Sequence, residues 1–290
     1  MVFRGSKSLC REFSLVLEAR GIEHETLESD STWTLNVPVA LLDRAYDEIS
    51  RYSAERSVPR SVRSAMPSRP GAAFGVSVYV LVLLLAAYSA GNGSFGADWF
   101  AAGSLDAGSR AQWWRAITAL TLHVDQEHWL GNVLFGALAG MGVGRLLGPG
   151  IAWASILGAA ALANYCEMLI APVDHRAVGA STAVFAALGL LTGLAWRQRF
   201  TLREGLWYRW APLIAGICLL TLLGAGGVHV DVVGHCLGFI MGTGQGWLYA
   251  KVNLPHLGGS RVQILAGTCA VLLVLLAWLL ALSSAWNFSL

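Results

Sequence analysis

After residue 72 the chain is built from seven apolar segments, at roughly 73–91, 128–147, 151–171, 181–196, 211–226, 232–250 and 262–283. A perpendicular transmembrane helix needs about 20 apolar residues. In lipid every backbone N–H and C=O must be satisfied internally, which selects helices for segments of this kind. Several segments fall short of that length, the fourth and fifth most of all, which fits helices buried among neighbours rather than facing lipid. Hydrophobic residues make up 55% of the chain and charged residues only 13%, against about 25% charged in a soluble domain. The chain therefore reads as an all-α polytopic membrane protein, with the lipid bilayer as its solvent and no nucleic-acid partner.

The five cysteines form no CxxC pair and four lie in apolar segments, so neither a disulfide framework nor a zinc site is expected. The first residues are amphipathic, not a continuous apolar run. No cleavable signal peptide is expected, and the first span serves as its own insertion signal.

Residues 1–52 read as a small soluble domain. Leu9, Phe13, Val16 and Leu17 share a helical face, and Gly21 is placed to end that helix. Ile22–Leu27 and Trp33–Val37 read as two strands, with a further short strand at Val2-Phe3. Pro38 opens a second helix with Leu42, Ala45, Ile49 and Tyr52 on one face. The expected order is α-β-β-α. Residues 53–71, rich in Ser, Arg and Pro, read as a linker, 72–250 as a six-helix membrane core, and 251–290 as a loop and one extra transmembrane helix.

Loop charges set the orientation. With a cytoplasmic N-terminus, the inner side holds Arg56, Arg60, Arg63, Arg69, Arg145, Arg197, Arg199, Arg203, Arg209, Lys251 and Arg261, against Arg110, Arg115 and Arg176 outside. Segments two, four and six then all start on the outer side. His128 and Asn132, Ser181, and His235 open those three segments. The charge bias is independent of these residues, yet it brings them to one depth. Polar and ionisable groups inside a membrane mark function by default.

A serine hydroxyl needs a base within reach to act as a nucleophile. His235 meets that need if segments four and six pack closely. Gly234, Gly238, Gly242 and Gly246 recur every four residues, and Thr182, Ala186, Gly189 and Gly193 form a facing small-residue stripe. Phe185, one turn below Ser181, is placed to stack on the imidazole. His128 and Asn132 at i, i+4 project from one face. They can donate to a developing oxyanion, with the Ser181 N–H at a helix start as a further donor. The bland readings remain open: glycine stripes that only pack helices, and a His-Asn pair that only glues them. His123 and His128 lack a carboxylate at ligand spacing, so no metal is expected there. Asp231, one turn before His235, invites a Ser-His-Asp reading but reads better as solvating a loop. Glu167 is expected to pair with Arg115 or to reach the interface.

Taken in order, Trp114-Arg115, His123-x4-His128-x3-Asn132, Gly179-x-Ser181 and Gly234-His235-x2-Gly238-x3-Gly242 resemble the rhomboid family of intramembrane serine proteases. The resemblance covers about residues 73–250. It implies a six-helix core, a Ser-His dyad without a carboxylate, and no cofactor or metal. By matching, Ser181 is the nucleophile and His235 the base. His128 and Asn132 match the oxyanion donors, and Arg115 a residue of the membrane-embedded loop between the first two spans. Trp114, His123, Gly179, Phe185, Gly238 and Gly242 fall in supporting positions. Two departures stand out. Thr182 replaces the usual glycine after the serine, and Gly148-Pro149 occupy a region that often carries an acid supporting the first loop.

The resemblance implies a multi-pass protein of a bacterial inner membrane. The charge bias implies a cytoplasmic N-terminus and a site that opens outward, and the resemblance implies transmembrane proteins as substrates. The oligomeric state is not legible. One rival is a non-catalytic rhomboid-like protein that binds transmembrane clients, though such relatives usually lack the serine or the histidine. A small transporter would want inverted repeats or midplane charge pairs, and the sequence offers neither.

Overall fold

The computed structural model describes residues 1–29, 32–57, 68–200, 205–224, 230–251 and 259–287. They fall into two compact units, Met1–Ala65 and Met66–Leu290.

The first unit runs β1 (Phe3–Gly5), α1 (Lys7–Ala19), β2 (Glu25–Ser29), β3 (Thr32–Asn36) and α2 (Leu42–Ser57). The sheet is antiparallel in the order β1-β3-β2. Ser6 caps α1 by accepting the Leu9 N–H. Gly21, at φ +62°, lets the chain turn after that helix. Cys10, Phe13 and Leu17 of α1 meet Leu35 and Ala45 in a closed apolar core. The helix α2 continues to Ser57, past the boundary expected at 52. Of the expected linker, 58–67 lies outside the described residues.

The second unit is helical. In chain order it holds α3 (Ala72–Gly91), α4 (Trp99–Gly103), β4 (Leu105–Asp106), α5 (Arg115–Thr118), α6 (Gln126–Leu147), α7 (Pro149–Ile170), β5 (Arg176–Ala177), α8 (Ser181–Phe200), α9 (Leu206–Gly224), α10 (Val232–Lys251) and α11 (Ser260–Asn287). Helices α3 and α6 to α11 correspond to the seven apolar segments, although α8 runs on to Phe200 and α9 begins at Leu206. Among the described residues, four of them, α3, α6, α7 and α11, are long and apolar enough to cross a membrane. The fold is that of a helical multi-pass membrane protein. Gly148, at φ +87°, ends α6, and Pro149 starts α7 at the position where a missing N–H costs nothing.

Helices α8 and α10 lie against each other with almost no side-chain layer between them. A Cβ on Gly238 would sit 2.5 Å from the Thr182 carbonyl oxygen. On Gly242 and Gly246 it would strike the carbonyls of Ala186 and Leu190, and on Gly189 and Gly193 those of Phe239 and Thr243. Small residues on both faces are what permit this approach. Thr182 is buried in the contact, with its Cγ2 3.1 Å from the Gly238 Cβ position. The threonine that replaces the usual glycine is thus accommodated because glycine stands opposite.

Helix α11 is bound to the rest of the unit at both ends. Near its start, Gln263 Oε1 accepts the N–H groups of Gly150 (2.9 Å) and Ile151 (3.1 Å), and Nε2 donates to the Leu147 carbonyl at 2.8 Å. One side chain therefore serves the end of α6 and the start of α7, whose terminal backbone groups have no intrahelical partner. Near its other end, Trp278 packs on Trp99 with ring centroids 4.2 Å apart.

Candidate active site

Ser181 is the first residue of α8, His235 the fourth of α10 and His128 the third of α6. Each helix start is fixed locally. Asp125 caps α6 by accepting the His128 N–H at 2.7 Å. Asp231 caps α10 by accepting the Gly234 N–H at 2.9 Å. The segment entering α8 is held by the loop between α3 and α6. The Gly179 N–H donates to the Ala119 carbonyl at 2.9 Å, and the Ala180 N–H to His123 Nε2 at 3.3 Å.

These constraints bring the polar residues together around Gly179. A Cβ at that position would lie 2.7 Å from Cε1 and 2.9 Å from Nε2 of His128, and 3.5 Å from Ser181 Oγ. With φ at +140°, the position also disfavours side chains on backbone grounds. The His235 ring is buried against Phe185, centroids 4.4 Å apart. Phe185 sits one turn below Ser181, so the three residues form one patch where α8 meets α10. A water-sized cavity of about 10 Å³ is lined by Gly179, Ser181, Thr182, Asn164 and Asp231.

Asn132 is buried, and its Nδ2 has no hydrogen-bond partner. A buried, unsatisfied donor is costly, so its retention here calls for a functional explanation. Its main chain is anchored instead, because the Tyr79 hydroxyl donates to the Asn132 carbonyl at 2.8 Å. His123 is kept neutral. Burial first, and then the neighbouring His128, push its pKa down to about 4, which suits an Nε2 that accepts the Ala180 N–H. The His123 and His128 rings meet edge to face at 5.2 Å.

The loop that carries Trp114 and Arg115 is built on main-chain acceptors. The buried Arg115 guanidinium donates to the carbonyls of Ser104 (2.8 Å) and Ala101 (2.9 Å) and to Gln112 Oε1 (2.5 Å). Trp114 packs beside Trp99 and Trp278. The expected pairing of Glu167 with Arg115 is not formed. Glu167 is fully buried near the C-terminal end of α7 and meets His175 Nε2 at 3.0 Å. Arg115 finds its acceptors within its own loop, so the acid is not needed there. Nor does Asp231 merely solvate a loop: it caps α10 and faces Glu167. Sequence reasoning missed Trp278, Gln263 and Tyr79 as supports. A polar Gln263 near the start of an otherwise apolar helix was the available signal.

Comparison with known proteins points to one family. The family model described as the rhomboid domain matches residues 110–252. The chain is 29% identical over 171 residues to Rhomboid protease GluP of Bacillus subtilis (strain 168), covering 58% of this chain and 31% of that protein. It is 32% identical over 156 residues to Rhomboid-like protease 2 of Toxoplasma gondii, covering 52% of this chain and 53% of that protein. The chain thus spans about half or less of the length of these relatives. With the motif-bearing helices α6, α8 and α10 all inside the matched region, the chain belongs to the rhomboid family.

Proposed function

We propose that the protein is an intramembrane serine endopeptidase that cuts transmembrane substrates near their outer ends. Ser181 Oγ attacks the scissile carbonyl carbon while its proton passes to His235. The developing oxyanion accepts hydrogen bonds from Asn132 Nδ2, the His128 ring and the Ser181 N–H at the start of α8. The tetrahedral intermediate collapses as His235 protonates the leaving amine. Water then attacks the acyl-enzyme by the same route, with His235 as base. The observation that carries this reading is the convergence of Ser181 Oγ and the His128 imidazole on the Gly179 position, with the His235 ring stacked one turn below. The unpartnered amide of Asn132 supports the oxyanion role.

The curated relatives named as proteases support the same reading, and the loop charges support a site that opens outward. A fluorophosphonate probe tests it, because only an activated serine is labelled. Wild-type protein should react and cleave a model transmembrane substrate. Ser181→Ala and His235→Ala should do neither while remaining folded. A wild-type protein that stays unlabelled would favour the client-binding alternative.

A further inference from the structure

We propose that Glu167, His175 and Asp231 form a binding site for a divalent transition-metal ion of the zinc class, located where α7, the α7–α8 connection and α10 meet. Their ligand atoms all lie within 4.8 Å of one another. His175 Nε2 and Glu167 Oε1 are 3.0 Å apart, close to the spacing of about 3.3 Å that bonds of ~2.0 Å impose on neighbouring ligands in a tetrahedral site. One imidazole with two carboxylates is a donor set suited to zinc. A water would complete the coordination.

The second oxygen of Glu167 points to a ligand. The side chain is fully buried, and its Oε2 meets another carboxylate, that of Asp231, with no N–H donor facing it among the described residues. A Cβ on Gly234 would meet Asp231 Oδ2 and, at 2.9 Å, Glu167 Oε2, so both oxygens border the same gap. Two carboxylates so placed repel each other unless a positive charge or a proton lies between them. The arginines of this face do not supply that charge. Arg110 Nε donates to the carbonyls of Met168 (3.1 Å) and Ala107 (3.2 Å), and Arg176 lies 3.8 Å from Asp106. Arg115 is occupied by carbonyls and Gln112. A metal ion neutralises both acids and uses the His175 nitrogen as well.

The site has a mechanical consequence. Asp231 is also the cap of α10, and His235 N donates to its carbonyl at 3.1 Å. Metal binding therefore ties the C-terminal end of α7 to the turn that carries His235. That consequence for activity rests on the protease reading, whereas the site does not, and its test reads the metal directly.

Protein without a histidine tag is stripped with chelator and titrated in detergent with Co²⁺ as a spectroscopic substitute for zinc. The expected result is one equivalent bound per chain, visible d–d absorption, displacement by Zn²⁺, and a Zn²⁺-dependent rise in melting temperature. His175→Ala, at a partly exposed side chain, should lose all of these, as should Asp231→Asn. His128→Ala, which disrupts the His123–His128 pair, should lose none. Absence of a cobalt band, or a band that depends on His128 rather than His175, overturns the proposal. So does a Glu167→Gln variant that is stabilised without metal while wild type binds none, since the two acids then share a proton instead.

Discussion

The Trp278 indole N–H donates to Thr121 Oγ1 at 3.1 Å. This bond joins the seventh long helix to the segment that leads into His123 and His128. The Thr121 hydroxyl in turn donates to the Thr118 carbonyl, and the Thr118 hydroxyl to the Gly103 carbonyl. The loop between α3 and α6 is thereby supported from α11. This offers a physical answer to the missing acid at Gly148-Pro149: support comes from a helix outside the motif region.

Trp278→Ala should therefore lower both thermal stability and protease activity. Removing a buried Trp side chain costs about 3–5 kcal/mol, and the Trp99 ring loses its partner. Trp278→Phe keeps most of the packing and loses one hydrogen bond, about 1 kcal/mol. Melting curves of both variants check this. Equal losses would mean that the indole N–H, not the packed ring, holds the loop.

Asn132→Ala should lower turnover more than apparent substrate affinity, because the donor acts on charge that develops in the transition state. Losing one oxyanion donor costs about 100- to 1,000-fold in kcat in a soluble serine protease, and the His128 ring and Ser181 N–H soften the effect here. Because Nδ2 has no partner in the resting structure, stability should change little. Kinetics that show only a raised KM would remove Asn132 from the oxyanion site.

Gly238→Val should damage stability and activity together. The new Cβ falls 2.5 Å from a backbone carbonyl, that of Thr182, so no side chain can move aside. Overpacking typically costs about 1–3 kcal/mol, and a main-chain clash puts this case at the upper end. The helices must separate, and His235 moves with α10. Wild-type melting temperature and cleavage in the variant would contradict the observed α8–α10 contact.

Acid should destabilise the protein through His123. Its folded-state pKa is pushed down to about 4, below the unfolded value of about 6.5. Between those values the unfolded chain binds the extra proton, so the neutral ring's stabilising contribution is full above pH ~6.5 and is lost as pH falls toward ~4. The shift corresponds to a loss on the order of 3 kcal/mol. Melting temperature measured against pH should fall across this window, and His123→Gln should flatten that dependence. An unchanged slope in the variant would assign the acid sensitivity to another group.

How much of this was legible depended on the range of the interaction. The spans were readable because hydrophobic runs and arginine-rich loops are local signals. The α8–α10 contact was readable because glycines four residues apart form a stripe whatever lies opposite. Helical spacing put Phe185 under Ser181, and its ring does lie against His235. The loop between α3 and α6 was not readable. Its short helices α4 and α5 span too few residues to show a period, and its β4 strand pairs with β5 some 70 residues later in the chain, Leu105 with Ala177. The partners of Arg115 are main-chain carbonyls, which no side-chain pattern encodes. The Glu167–His175–Asp231 cluster draws on three elements and has no motif spacing.

Deleting residues 1–60 should leave a protein that inserts and cleaves a model substrate. The first unit has its own core, with Phe13, Leu17, Leu35 and Ala45 packed together. Its ion pairs and side-chain bonds include Arg56 to Glu12 at 2.7 Å and the Tyr52 hydroxyl to Glu12 at 2.5 Å. The cut falls beyond Ser57, so α2 is removed whole rather than left with an exposed apolar face. All proposed site residues lie beyond residue 110. Arg63 and Arg69 should be kept, because basic residues flanking the first span help set its orientation. Arg69 also has a structural role in the second unit, donating its N–H to the Arg145 carbonyl at 2.7 Å and its Nε to the Leu146 carbonyl at 3.2 Å. Cleavage by full-length and truncated protein is compared at equal membrane abundance. A truncated protein that inserts normally but cannot cut would make the N-terminal unit part of the catalytic machinery, and the division of the chain into an accessory unit and a self-sufficient membrane unit would fail.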